Sequence, residues 1–249
     1  MYPEICAYSF EISSYTLLQF IAVIVATFLV RHELRRNHYP QRLWFTLMAV
    51  FLMGMFVGAK GYYIFEVWNE FILNPDEILF SVYGLGWYGG LILGSISLVL
   101  FLKAKKLPVL RTFDVIAPVI ALGQAIGRIG CFLAGCCHGR PSKVSWAVSF
   151  PFGQYPAYVT VHPTQIYEML IYFCIFILLW SLRKKEMKQG LKFSFYLVLA
   201  GLGRFMSEFY RLNSQVLFQL TVPQIIALTG ILIGTFIIIT ASAIEDNAN

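Results

Sequence analysis

Lys60, Arg128 and Arg204 sit inside long apolar stretches of this 249-residue chain, and each needs a physical explanation. A cation in hydrocarbon costs about 2.5 to 3.5 kcal/mol even on lenient insertion scales, so it requires a partner or a task. Arginine is permanently charged, and its planar fork matches two phosphate oxygens at once. Two readings stand side by side. In the structural one, Arg128 pairs with Glu168 or Glu208 and Arg204 pairs with the other. Glu208 follows Arg204 by four residues, one helical turn along the same face, so that pair needs no ligand. In the functional one, two arginines at one depth, with glycines around them, hold an anionic lipid headgroup. The sequence favours the second.

The elements that must position these residues are membrane helices. Apolar side chains make up 58% of the chain and charged ones 13%, against about 25% charged in an ordinary soluble domain. Mean hydropathy is +0.69. Such a composition excludes a disordered chain, a collagen-like fibre and a water-soluble nucleic-acid binder, because too few charges are present to cover an aqueous surface. Crossing hydrocarbon takes about 20 helical residues. Seven stretches qualify: 13–31, 43–64, 81–102, 113–135, 164–182, 192–210 and 221–242. The expected fold is an all-α polytopic membrane protein, a single transmembrane domain over 1–249. The first stretch does not read as a cleavable signal peptide, since Glu4 and Glu11 precede it without any Lys or Arg.

Basic residues set the orientation, because Lys and Arg accumulate on the cytoplasmic side. Three alternate loops and their flanks hold 13 of the 19: Arg31, Arg35, Arg36 and Arg42; Lys103, Lys105, Lys106 and Arg111; Arg183, Lys184, Lys185, Lys188 and Lys192. The N-terminus is therefore expected outside and the C-terminus in the cytoplasm. On that topology Lys60, Arg128 and Arg204 fall in the outer halves of their spans. Tyr15, Trp87, Tyr88, Gly89, Gly90, Gln165, Tyr167 and Glu168 come to the same level. Polar groups thus crowd a single leaflet. The net charge of +6 follows from the loop bias and needs no nucleic acid as partner.

Gly54/Gly58, Gly90/Gly94, Gly123/Gly127, Gly135/Gly139 and Gly230/Gly234 share the small-xxx-small spacing of close helix packing. Packing suffices for the second, fourth and seventh stretches. The segment GQAIGRIGCFLAGCCHG, 123–139, is denser in glycine than a seam needs. It reads as a broken or bent helix that brings backbone N–H groups to a ligand.

Within it, GRIGCFLAGCCHG resembles the G-R-x-G-N-F-x-N-x-E-x-x-G signature of the prolipoprotein diacylglyceryl transferase family, with Arg128, Gly130, Phe132 and Gly139 matching. HPTQIYE (162–168) is similar to the family's H-P-[ST]-Q-x-Y-E, YGGLILG (88–94) to H-G-G-L-I-G, and GRFMSEFYR (203–211) to R-x-x-x-E-F-x-R. DVIAP (114–118) and Tyr15 also fit. The chain departs from the pattern at Cys131, Ala134 and Cys136, where the signature has Asn, Asn and Glu, and at Tyr88, where it has His.

The resemblance implies an alkyl transfer in the bacterial cytoplasmic (inner) membrane. The lipobox cysteine thiol of a prolipoprotein signal peptide attacks a glyceryl carbon of phosphatidylglycerol, and glycerol 1-phosphate leaves. Arg128 and Arg204 would stabilise charge on the departing phosphate. With the motif His replaced, the candidates to assist the thiol are Glu168, His162 and Tyr88. Substrate contacts are expected from Tyr15, Gly89, Gly90, Gly127, Gly130, Cys131, Cys136, Gly139, Gln165 and Glu208. The segment 136–163, with Pro141, Pro151 and Pro156, is expected to form a short extracytoplasmic cover. A noncatalytic anionic-lipid binder or transporter, or transfer to a different acceptor, are the alternatives; a transporter would show access from both faces and repeat symmetry.

No cofactor and no metal are expected. Cys131, Cys136, Cys137 and His138 have neither a zinc-site nor a haem-attachment spacing, and adjacent cysteines rarely ligate one tetrahedral ion. They read as small packing residues, with a nucleophilic Cys136 beside Arg128 as the sharper alternative. A disulfide from Cys6 to one of them is conceivable on the outer face.

Overall fold

The computed structural model describes the backbone of residues 4–7, 10–81, 86–151, 156 and 158–246. A strand pair, β1 (Glu4–Ala7) and β2 (Phe10–Ser13), precedes α1 (Ser14–Arg36). Then follow α2 (Leu43–Glu66), the short α3 (Trp68–Leu73) and α4 (Pro75–Phe80), α5 (Trp87–Ala104), α6 (Val109–Leu133), α7 (Thr164–Leu182) and α8 (Leu191–Glu208). A second strand pair, β3 (Gln215–Leu217) and β4 (Leu220–Thr221), leads into α9 (Val222–Asp246).

Each of the seven expected stretches is occupied by a helix of 18 residues or more. Five are long and apolar enough to cross a membrane: Ser14–Arg36, Leu43–Glu66, Val109–Leu133, Thr164–Leu182 and Val222–Ala241; Tyr88–Ala104 is shorter. Outward faces are apolar at helical spacing. Phe20, Ile24 and Phe28, each a turn apart on α1, are about two-thirds exposed, as are Met53 and Phe56 on α2. Surfaces of this kind belong in lipid, and the chain is a multi-pass membrane protein.

The chain divides into two compact units. One comprises Arg31–Thr112. In it α2 and α5 lie backbone against backbone. A Cβ at Gly58 would collide with the carbonyl oxygen of Gly89, and one at Gly54 would stand 2.5 Å from Ser97 Oγ. Glycine is required there by close approach. Gly89 and Gly90 are part of this seam, facing Tyr62 and Met55 respectively. Lys60 is buried, donates to the Ser81 carbonyl at 2.8 Å and lies 5.5 Å from the Tyr63 ring centre. Its intramembrane charge is satisfied locally.

The other unit comprises Met1–Val30 and Phe113–Asn249. Ala117, Ala121 and Ala125, one turn apart on α6, form a narrow buried stripe packed with Tyr172, Ile175 and Leu179 of α7 and Tyr196 and Ala200 of α8. The tight α8/α9 contacts fall at Gly201, whose Cβ would meet the Ala227 carbonyl at 2.8 Å, and at Gly234 against Val198 at 2.9 Å. Gly123 has open space around it, so the Gly123/Gly127 spacing does not mark a packing seam. Asp114 on α6 caps α8 from outside: its carboxylate accepts from Gly190 N at 2.6 Å and Phe193 N at 2.8 Å, placing negative charge at the positive end of that helix.

The glycine-dense segment, expected to be broken or bent, stays helical through Gly123, Gly127 and Gly130 to Leu133. Glycine tolerates helix inside a membrane, where every backbone group must find an internal partner. The break comes at Gly135, with φ of 71°. There Gly135 N donates to Phe132 O at 3.1 Å and Cys136 N to Cys131 O at 3.1 Å, the paired bonds of a Schellman stop.

Candidate functional site

Arg128 lies near the end of α6, Glu168 near the start of α7 and Arg204 near the end of α8. Consecutive antiparallel helices thus deliver all three to one end of the same unit. Glu168 is 2% exposed and is the hub. Its Oε2 forms an ion pair with Arg128 Nε at 2.5 Å; its Oε1 accepts from Arg204 Nη1 at 2.5 Å and Ser207 Oγ at 3.0 Å and pairs, more distantly, with Arg211 Nη1 at 3.6 Å. Arg204 also reaches Glu208 Oε2 through Nη2 at 2.9 Å. Glu208 Oε1 accepts from Asn213 Nδ2 at 2.5 Å and Thr221 Oγ1 at 2.8 Å. Thr221 in turn opens α9 through reciprocal bonds with Gln224, so this corner is fixed by a helix cap.

Of the two pairings expected, Arg204 with Glu208 is present, and Arg128 with Glu168 is present, but Arg204 bridges both carboxylates. Structural glue and ligand site are therefore not exclusive. Three guanidiniums, Arg128, Arg204 and Arg211, face two carboxylates, Glu168 and Glu208, leaving one net positive charge. The arginine side chains keep 23%, 17% and 10% of their surface exposed, whereas both carboxylates are sealed. Such a cluster holds the forks rigid from behind and offers positive charge to an anion in front.

Gln165, 1% exposed, donates through Nε2 to the Cys136 carbonyl at 2.7 Å, while its buried Oε1 has no hydrogen-bond partner among the described residues. Tyr15, in the first turn of α1, is 38% exposed. A Cβ on Gly130 would stand 3.2 Å from Leu18 Cβ and 3.6 Å from the Tyr15 ring, so these helices meet across that glycine. Gly127 faces Gln19 with ordinary spacing. Gly139 is tightly enclosed: a Cβ there would meet Tyr210 O at 2.5 Å and His162 Cβ at 2.8 Å. Tyr88, Gly89 and Gly90 begin α5 and belong to the other unit.

His162 is buried beside the start of α7. Its Nδ1 lies 3.1 Å from Tyr167 Oη, an oxygen that accepts from Trp146 Nε1 at 2.7 Å, and its ring meets Tyr210 edge-on at 5.1 Å. Burial first, and the Arg140 charge second, hold its pKa below the ordinary 6.5, so the imidazole is neutral at neutral pH. The segment that carries Trp146 folds back on itself through bridges from Val161 to Pro141 and Val148.

Sequence reasoning brings Tyr167 to the level of the site without assigning it a role, and does not single out Arg211, Ser207 or Trp146. Arg211 carries a signal, lying seven residues, two turns, after Arg204; Trp146 carries none. The cysteines also differ from expectation. The Schellman stop and a left-handed Cys137 (φ 61°) fold the chain so that the sulfurs of Cys131, Cys136 and Cys137 lie within 4.8 Å of one another. The Cys137 thiol is drawn below the ordinary range by the neighbouring Cys131 and Cys136 thiols, against the effect of burial, and then by Arg211 and Arg128. The side chain of Cys6, the other half of the conceivable disulfide, lies outside the described residues.

The family of prolipoprotein diacylglyceryl transferases matches residues 3–240 of this chain. A phosphatidylglycerol-prolipoprotein diacylglyceryl transferase of Clostridium tetani is 36% identical over 235 residues, 92% of this chain and 93% of the relative. One of Trichormus variabilis is 31% identical over 232 residues, 88% and 82% of the two chains. One of Finegoldia magna is 37% identical over 183 residues, 73% and 71%. With a match that takes in every helix of the arginine cluster, this chain belongs to the prolipoprotein diacylglyceryl transferase family.

Proposed function

We propose that this chain transfers the diacylglyceryl group of phosphatidylglycerol to the cysteine thiol of a prolipoprotein lipobox. The observation that carries the reading is the net-positive cluster of Arg128, Arg204 and Arg211 locked onto buried Glu168. In the reaction a carbon–sulfur bond forms at the glyceryl carbon while its bond to the phosphate oxygen breaks. The electron pair stays on that oxygen, and glycerol 1-phosphate departs. Charge grows on the phosphate as the bond breaks, and preorganised guanidiniums stabilise that growth without reorganising. Holding thiol and lipid together supplies much of the remaining acceleration.

The thiol must lose its proton, since thiolate is the nucleophile. Glu168 is engaged by arginines on both oxygens, which suits it to orienting the forks rather than to proton transfer. Neutral His162, beside Tyr167, is the better acceptor. Tyr15, Gln165, Gly127, Gly130, Gly139, Cys131, Cys136 and Glu208 line or shape the lipid and peptide sites.

The topology follows the basic loops: seven crossings of the bacterial inner membrane, the N-terminus outside, the C-terminus in the cytoplasm, and the arginine cluster at the outer leaflet. The cover over the outer face of the site is assigned to 136–163, of which 152–155 and 157 lie outside the described residues. The test is mass spectrometry of a lipobox peptide incubated with purified protein and phosphatidylglycerol. A diacylglyceryl mass gain, absent with a Cys-to-Ser peptide and lost with Arg128→Ala, supports the proposal. No gain, in protein that binds phosphatidylglycerol, overturns it in favour of a different acceptor or a noncatalytic lipid-binding role.

A further inference from the structure

The geometry points to a binding site for one thiophilic metal ion, copper(I), held by the thiolates of Cys131, Cys136 and Cys137. The three sulfurs already lie within 4.8 Å of one another. A metal–sulfur bond is about 2.3 Å, so three sulfurs around a trigonal centre stand about 4 Å apart. Rotamer adjustments of well under one bond length close the gap. Among the described residues no fourth His, Cys, Asp or Glu joins the group. A three-sulfur set without a fourth donor suits copper(I), which soft thiolates select, better than tetrahedral zinc.

The surroundings are built as a ligand site requires. The Schellman stop at Gly135 turns Cys136 back over Cys131, whose carbonyl accepts from Cys136 N at 3.1 Å. The two following carbonyls are clamped from neighbouring elements. Gln165 Nε2 donates to Cys136 O at 2.7 Å; Thr164 Oγ1 and Arg211 Nη2 donate to Cys137 O at 3.0 and 2.6 Å. Outer partners of this kind fix ligand direction. Arg128 Nη1 stands 4.0 Å from Cys131 Sγ, so positive charge offsets the anionic centre formed when three thiolates bind one monovalent ion. Cys131 is buried while Cys136 and Cys137 are exposed, which gives an entry path and a sealed inner ligand. Binding forms three sulfur–metal bonds and releases the thiol protons to buffer; nothing is oxidised.

The test uses the full-length protein in detergent under anaerobic, reducing conditions, titrated against the copper(I)–bicinchoninate complex. No lipid or peptide substrate is needed, so the outcome is independent of the transferase reading. The chain is expected to withdraw one copper(I) per molecule from the chelator. C131S and C137S weaken withdrawal by about tenfold or more, and C174S, a cysteine on α7, leaves it unchanged. Because a serine variant can lose its fold, a second readout uses wild type only: copper(I) shields Cys131, Cys136 and Cys137 together from maleimide labelling, mapped by peptide mass spectrometry. Failure to withdraw copper, withdrawal that survives in folded C131S and C137S, or unchanged labelling of the three cysteines overturns the proposal.

Discussion

Replacing Glu168 by Gln preserves shape and removes one charge from a fully enclosed position. In the native cluster three guanidiniums face two carboxylates; in the variant they face only Glu208. The substitution abolishes the ion pairs to Arg128 and Arg204, each at 2.5 Å, and the longer one to Arg211 at 3.6 Å. Removing one partner of a buried pair costs about 3 to 5 kcal/mol. The arginines keep 23% and 17% of their side-chain surface exposed, so solvent screens part of the interaction and the lower end applies. With about 2 to 4 °C per kcal/mol for a chain of this size, E168Q melts roughly 6 to 12 °C below wild type. Intrinsic-fluorescence melting in detergent reads it directly. The pairing itself is isolated by a double-mutant cycle with Arg128→Gln, in which contacting residues couple by about 0.5 to 3 kcal/mol. An E168Q melting point within a degree or two of wild type, or strict additivity with Arg128→Gln, refutes Glu168 as the hub.

Other substitutions test the supports of the site. Gly135→Ala forces a side chain into the left-handed region and against Phe150 at 3.2 Å, at a cost of about 1 to 2 kcal/mol read by melting. Asp114→Ala leaves the backbone N–H groups of Gly190 and Phe193 without their acceptor, costing about 1 to 3 kcal/mol, whereas Asp114→Asn retains part of the cap. His162, with its pKa held below 6.5 in the folded chain, binds fewer protons than in the unfolded chain. Its contribution to stability is therefore full above about pH 6.5 and is lost as pH falls through the lower folded value. An imidazole titration followed by NMR places the midpoint below 6.5; a midpoint above it contradicts the neutral base.

Helix positions were legible in the sequence because apolar runs and loop charges carry them directly. Among the described residues a helix lies in each stretch where hydropathy places one, five of them long and apolar enough to cross a membrane, and the intramembrane charges pointed to Arg128, Glu168, Arg204 and Glu208. What the sequence did not reveal depends on contacts between distant segments. Nothing local marks Glu168 as shared by two arginines, Trp146 as the partner of Tyr167, or Asp114 as the cap of α8. Glycine spacing misled in both directions: Gly123 faces open space and Gly201 packs closely without a spaced partner, while the break in the glycine-dense segment comes only after Leu133. The cysteine spacing gave no metal pattern because convergence of the sulfurs depends on a turn geometry, Gly135 and Cys137 both left-handed, that spacing alone does not encode.

The central claim is that the arginine cluster stabilises a departing phosphate while a thiol takes the diacylglyceryl group. The direct measurement follows both products in one reaction, thioether on the lipobox peptide and glycerol 1-phosphate from phosphatidylglycerol, for wild type and for Arg204→Lys. Equal amounts of the two products with wild type, and a drop in both by about a hundredfold or more when the fork is replaced by a point charge, is the predicted result. Glycerol 1-phosphate released without thioether, or undiminished transfer by Arg204→Lys, would contradict it.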